Sequence, residues 1–270
     1  MKKPITFLLG IPLLAHTSQA AVIAADNFDY ANGGIANQAG GSGWNNEFND
    51  EAGAPAQSPS DWDTVFGNAP TVGGNALITN GGGTKREFGG AGEGVNFPSN
   101  EREGAFRGAG KWFLSATYRV DSLFAADTNQ WGGVSSYDFG TERLFFGMPG
   151  QAAATRYFGI DESGVGATLS TIPIAAATTY TLLIMLDFNT DRIAMWVNPD
   201  GGDTESSYDV SRSYGGTNWS TAVRFASAGG TNVTWDNVLV TTTFGENVPE
   251  TSVALLGGLG LFGLLRRRRS

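Results

Sequence analysis

The chain has 270 residues, no cysteine, a single histidine and a net charge of −9. This acidic balance, with no basic patch to offset it, argues against nucleic acid and anionic lipid as partners of the central region. The histidine, His16, lies in the N-terminal apolar stretch, so the rest of the chain lacks both Cys and His, which excludes a Ser-His-Asp triad, a Cys-His pair and the usual zinc, copper or haem ligation.

Residues 1–20 read as a signal peptide. Lys2 and Lys3 form a basic start, residues 5–15 are an apolar run too short to span, and Ser18 and Ala20 are the small residues before a cut by signal peptidase. Pro4 and Pro12 bracket the run and argue against a buried helix. The mature protein is then expected to begin at Ala21. Removing Lys2, Lys3 and the four terminal arginines takes its charge from −9 to about −15.

Residues 21–244 read as one all-β domain that must hold by its core alone. The chain's 39 glycines, with abundant Asn, Thr and Ser, predict many turns and few long helices. A first strand is expected over 25–30, with Phe28 and Tyr30 on one face, and another over 75–79, closed by the glycine run 81–83, read as a turn. Over 111–120 Trp112, Leu114, Ala116, Tyr118 and Val120 alternate with Lys111, Phe113, Ser115, Thr117 and Arg119, a half-buried strand. Further strands are predicted over 143–148 and 156–161. Residues 179–188 are apolar on both faces and predict a central strand, which Asn189, Thr190 and Asp191 turn into a partner over 192–197. The last strands are expected over 222–226 and 232–243. Gly215 and Gly216 argue against a short helix over 214–219. A β-sandwich is the natural way to bury so many alternating strands.

Three chemistries fit the residues that remain. Glycoside hydrolysis needs only two carboxylates about 5–9.5 Å apart. The pairs nearest in sequence are Glu101 with Glu103, in a glycine-flanked charged stretch, and Asp161 with Glu162, whose spacing points them to opposite faces. Calcium is the second: Asp187, Asn189 and Asp191 alternate as oxygen ligands do, but no Gly-then-Glu continuation follows, and a hairpin turn explains them without metal. The third is sugar binding, since aromatic faces stack on sugar rings. Trp44, Trp62, Trp131 and Trp219 sit in Gly/Asn/Ser-rich segments and are the exposed candidates, whereas Trp112, Trp196 and Trp235 lie in strands and belong to the core.

Residues 245–270 form a tail with its own logic: Val248, Pro249 and Glu250 precede an apolar run over 252–265, and Arg266, Arg267, Arg268 and Arg269 follow it. In lipid such a run is a helix, because only a helix satisfies its own backbone polar groups there. As a helix over 251–265 it would reach about 22 Å against a hydrocarbon core of about 30 Å, with the arginines held on the cytoplasmic side. This order resembles the PEP-CTERM sorting signal of Gram-negative bacteria, with Thr251 where the family pattern has a second proline. The resemblance implies export across the inner membrane, a transient anchor through the C-terminal helix, and processing by an exosortase.

A second resemblance covers the centre. Residues 180–200, a long strand, a polar turn and a strand ending in Asn198 and Pro199, resemble the hairpin of concanavalin-A-like (laminin-G-like) jelly rolls. Residues 225–243 resemble the closing strand of that fold and residues 26–30 its N-terminal partner. The Glu-x-Asp-x-x-Glu motif of laminarinase-like hydrolases on this fold is absent. The expectation is a concanavalin-A-like β-sandwich between two export signals: a non-enzymatic cell-surface or extracellular-matrix protein with affinity for extracellular polysaccharide. The alternative is a glycan-active hydrolase or lyase on the same fold.

Overall fold

Alternation in the sequence becomes two antiparallel sheets. A computed structural model describes residues 22–44, 62–74, 76–88, 110–123, 128–138, 141–216, 220 and 222–248. The predicted signal peptide, Pro249, Glu250, the apolar run, the four terminal arginines, Trp219, Glu101 and Glu103 lie outside these residues. Among the described residues no helix is long and apolar enough to cross a membrane.

In chain order the strands are β1 (Val22–Asp26), β2 (Gly33–Gly34), β3 (Asp63–Gly67), β4 (Thr71–Val72), β5 (Leu77–Asn80), β6 (Gly82–Glu87), β7 (Lys111–Val120) and β8 (Gln130–Asp138). They continue as β9 (Thr141–Gln151), β10 (Tyr157–Glu162), β11 (Gly166–Pro173), β12 (Thr179–Asp187), β13 (Arg192–Val197), β14 (Val210–Ser213), β15 (Ala222–Ala228) and β16 (Asn232–Thr241). A nine-stranded sheet runs β14-β13-β12-β7-β16-β5-β4-β2, with β1 also on β16, and a seven-stranded sheet runs β11-β10-β9-β8-β15-β6-β3.

The sheets share one core. Leu114, Tyr118, Leu182, Ile184 and Trp235 of the first sheet meet Val134, Phe146, Phe158, Ile160 and Phe225 of the second, all buried. In strands these side chains recur at every second position, so one face of each sheet is removed from water. Trp112, Trp196 and Trp235 are buried as expected. The strand with two apolar faces, β12, is central, lying between β7 and β13. The closing strand β16 pairs with an N-terminal strand, but that strand is β1 (Val22–Asp26) and, of residues 26–30 to which the resemblance pointed, only Asp26 takes part.

Two expectations need correction. The first strand ends at Asp26, because Asp26 Oδ1 accepts the Phe28 N–H at 2.8 Å and Phe28 takes a positive φ of 52°. The chain therefore bends where alternation predicted extension. The glycines read as a turn, Gly82 and Gly83, open strand β6, with the turn confined to Gly81.

Candidate functional site

Strand alternation also decides what the seven-stranded sheet presents on its outer face. In β15 Val223 and Phe225 enter the core, so Arg224 and Ala226 point outward. Register then aligns Gly83, Ala226, Gly133, Gly147 and Gly159 across adjacent strands, a lane with almost no side chain. A neighbouring row holds Lys85, Arg224, Ser135, Phe145 and Asp161.

Aromatic rings lie over the lane. A Cβ at Gly133 would meet Phe145 Cζ at 2.4 Å, and one at Gly83 would meet Phe66 Cε1 at 2.6 Å. Glycine is required at both positions because the rings rest directly on the backbone. Trp131 sits between these rings, 5.8 Å from each centroid. Phe145 is buried, whereas Phe66 and Trp131 keep part of their surface in water. Beside Trp131 a groove of about 590 Å³ is lined by Phe145, Glu142, Asp161 and Arg224, and bounded by the β10–β11 turn, where Val165 is 66% exposed.

Arg224 organises the polar wall. Its Nη2 donates to Glu142 Oε1 at 2.7 Å and to Ser135 Oγ at 3.1 Å, while Nη1 donates to the Tyr137 hydroxyl. Ser135 Oγ donates to the same Glu142 oxygen at 2.6 Å. The guanidinium also lies 5.2 Å over the Phe66 ring and 5.1 Å over the Tyr137 ring. Burial pushes the Tyr137 hydroxyl up, against the pull of Arg224 and Lys85, so it stays protonated at neutral pH. Asp161 differs from Glu142: half-buried in the groove, it has no hydrogen-bond or ion-pair partner among the described residues. Burial pushes its carboxyl up, Arg212 pulls it down, and Glu142 adds to the rise.

Of the three described tryptophans expected to be exposed, Trp44, Trp62 and Trp131, the structure brings only Trp131 to the groove. Trp62 is fully buried and Trp44 nearly so, a correction to the expectation from their glycine-rich surroundings. Their rings flank Arg86, at 5.0 Å for Trp44 and 5.5 Å for Trp62, and Arg86 pairs with Asp26 at 2.7 Å. Trp62 Nε1 donates to Asp26 at 2.9 Å and Trp44 Nε1 to the Ala25 carbonyl at 3.1 Å. The rings thus desolvate and cap an ion pair that ties β1 to β6 across the two sheets. In that pocket burial and Asp26 push the Tyr30 hydroxyl up to about 12.

Asp187, Asn189 and Asp191 fall in the β12–β13 turn. Asp187 Oδ1 accepts the Asn189 N–H at 3.0 Å, and Asp191 holds a φ of 51°. The group works as turn chemistry, and among the described residues no three His, Cys, Asp or Glu side chains are gathered to hold a metal ion. Asp161 and Glu162 do point to opposite faces of β10, since Phe158 and Ile160 enter the core and Asp161 alternates outward; both border the groove, and Glu162 pairs with Arg212 at 2.9 Å. Glu142, Arg224, Ser135 and Tyr137 were not singled out from the sequence. Residues 224 and 142 are 82 positions apart, and only cross-strand register brings them together.

No family model matches the sequence, and no curated protein matches it. Among solved structures the chain is similar to a cellulose-induced protein, at 15% identity over 68% of this chain and 85% of that one, with a TM-score of 0.42. It is also similar to the CBM2 module of a Lactobacillus casei phage Dit protein, at 10% identity over 83% and 97%, TM-score 0.42. An alginate lyase of polysaccharide lyase family 7 matches at 10% identity over 65% and 82%, TM-score 0.42.

Proposed function

We propose that the protein is an exported carbohydrate-binding protein of the cell surface or extracellular matrix, built on a concanavalin-A-like jelly roll. The observation that carries this reading is the groove on the outer face of the seven-stranded sheet. It sets a part-exposed Trp131 ring beside a wall of hydroxyl, carboxylate and guanidinium groups. A ring face takes up the apolar face of a sugar, and the wall supplies acceptors and donors for its hydroxyls. Delivery rests on the two end signals: signal peptidase at the start, and an exosortase acting at Val248, Pro249 and Glu250, with the arginines holding the transient anchor. On an array of polysaccharides the purified protein should bind, and Trp131→Ala should remove most of that binding. Flat signals for the wild type on every polysaccharide would sink the reading. For delivery, mass spectrometry of the released protein should locate a cut near Pro249 that Pro249→Ala with Glu250→Ala abolishes.

A second reading has one observation in its favour. Glu142 and Asp161 line the same groove but sit differently, one ion-paired with Arg224 and the other pushed up by burial. Paired carboxylates in unlike surroundings are what glycoside hydrolysis uses. Release of reducing ends from a bound glycan, lost in both Glu142→Gln and Asp161→Asn, would establish it; binding without release leaves the first reading.

A further inference from the structure

The charge pattern around the groove bears on which glycans it takes. Arg224 is committed to Glu142, Ser135 and Tyr137. Arg212, which reaches across from β14, is committed to Glu162 at 2.9 Å and to the Gly166 carbonyl at 2.5 Å. Arg143 and Lys85 are engaged as well. An acidic sugar would have to draw one of these cations away from its present partner, leaving a buried carboxylate or hydroxyl unpaired.

Asp161 offers the opposite. Its carboxylate has lone pairs in two directions and no partner among the described residues, and it faces the groove. Asp161 pairs in register with Phe145, whose ring contacts Trp131, so acceptor and stacking face belong to one wall. A carboxylate accepts hydrogen bonds from two neighbouring hydroxyls of a sugar, whereas a uronate beside it meets like charge in a partly desolvated place. The mature protein's strongly acidic balance adds to that repulsion at long range.

We infer that the groove takes neutral polysaccharide, with a sugar ring on Trp131 and a pair of its hydroxyls donated to Asp161, and that it rejects uronate polymers. This rests on the reading of the groove as a glycan site. The substrate class is therefore one rich in vicinal hydroxyls and free of carboxylate: a neutral glucan, mannan or xylan rather than an alginate or pectin backbone.

The test is affinity electrophoresis of the purified protein in gels containing either a soluble neutral β-glucan, a neutral mannan or xylan, or polygalacturonate, repeated for Asp161→Asn, with thermal unfolding of both proteins as the check on folding. The wild type should be retarded by at least one neutral polymer and run freely in polygalacturonate. Asp161→Asn should lose at least about tenfold in affinity for the neutral polymer, the scale of a charge-assisted hydrogen bond, without a lower unfolding temperature. Binding polygalacturonate as well as or better than every neutral polymer would overturn the inference while leaving the groove a glycan site. Undiminished affinity in Asp161→Asn would overturn it too. A wild type that binds none of the polymers would remove the glycan reading itself, and the inference with it.

Discussion

The two sheets bury equivalent inner faces and differ in what they do with their outer ones. The nine-stranded sheet presents Phe113, Leu183, Met185, Ala194 and Trp196 outward, an apolar patch. The chain covers it with its own segment after β16: Phe244 packs 5.1 Å from the Trp196 ring and 5.9 Å from Phe113, with Tyr208 and Val248 beside it. A 3-10 turn (Gly245–Asn247) follows, and Asn247 is buried. Asn247 Oδ1 accepts from Ser115 at 2.9 Å, and Nδ2 donates to the Thr243 carbonyl at 3.1 Å and to Thr241 Oγ1. The seven-stranded sheet instead carries glycines, rings laid on the backbone and a polar wall held together by Arg224. An outer face of large apolar groups needs a cover, which the polypeptide itself supplies. A face of small and polar groups can leave a groove beside its rings, and that is where a ligand finds room.

Phe244→Ala should break the covered side most. It removes a nearly buried ring from its cluster and should cost about 3 kcal/mol, read by denaturant unfolding, with glycan affinity per folded molecule unchanged. Next, Gly133→Ala should disturb the open side through the lane: its Cβ would lie 2.3 Å from the Phe146 carbonyl oxygen and 2.4 Å from the Phe145 ring. Overpacking of that kind costs about 2 kcal/mol, and lifting Phe145 should weaken glycan binding together with stability. Trp131→Ala should separate the two effects, lowering affinity by about tenfold, or ~1.4 kcal/mol, with a smaller change in stability than Phe244→Ala gives. The smallest effect is that of acid. Because burial raises Asp161, its loss as an anion begins at higher pH than for an ordinary aspartate, so affinity for a neutral glycan should fall a few-fold as pH drops through that range. Arg143, Arg212, Arg224, Glu142 and Glu162 are the charged groups around that titration, and in Asp161→Asn this acid limb should disappear.

How much of this could be read from residues alone depends on where the information sits. The β12–β13 hairpin and β7 announce themselves because alternation and burial there are properties of consecutive residues. Strand β8 does not: its stretch Gln130–Asp138, rich in Gly and Ser, reads as loop. It is extended because β9 and β15 pair on either side, and because glycine lets neighbouring rings rest on it. The tryptophans show the same limit. Trp44 and Trp131 adjoin glycines and Trp62 follows a serine-containing stretch, yet Trp44 and Trp62 enclose Arg86 and only Trp131 of the three reaches the groove. What separates them is Arg86, invisible at short range from either ring. Spacing along the sequence likewise shows no such pair, because Glu142 and Asp161 lie on different strands, β9 and β10, and come together only as lining of the groove.

The central claim is that the outer face of the seven-stranded sheet binds glycan and the covered face does not. Calorimetric titration of a neutral β-glucan, mannan or xylan into the wild type, Trp131→Ala and Phe244→Ala, beside thermal unfolding of each, tests it most directly. The expected result is an affinity lower by about tenfold at near-native unfolding temperature in Trp131→Ala, and wild-type affinity at a lowered unfolding temperature in Phe244→Ala. Full affinity in Trp131→Ala, or loss of affinity confined to folded Phe244→Ala, would contradict it.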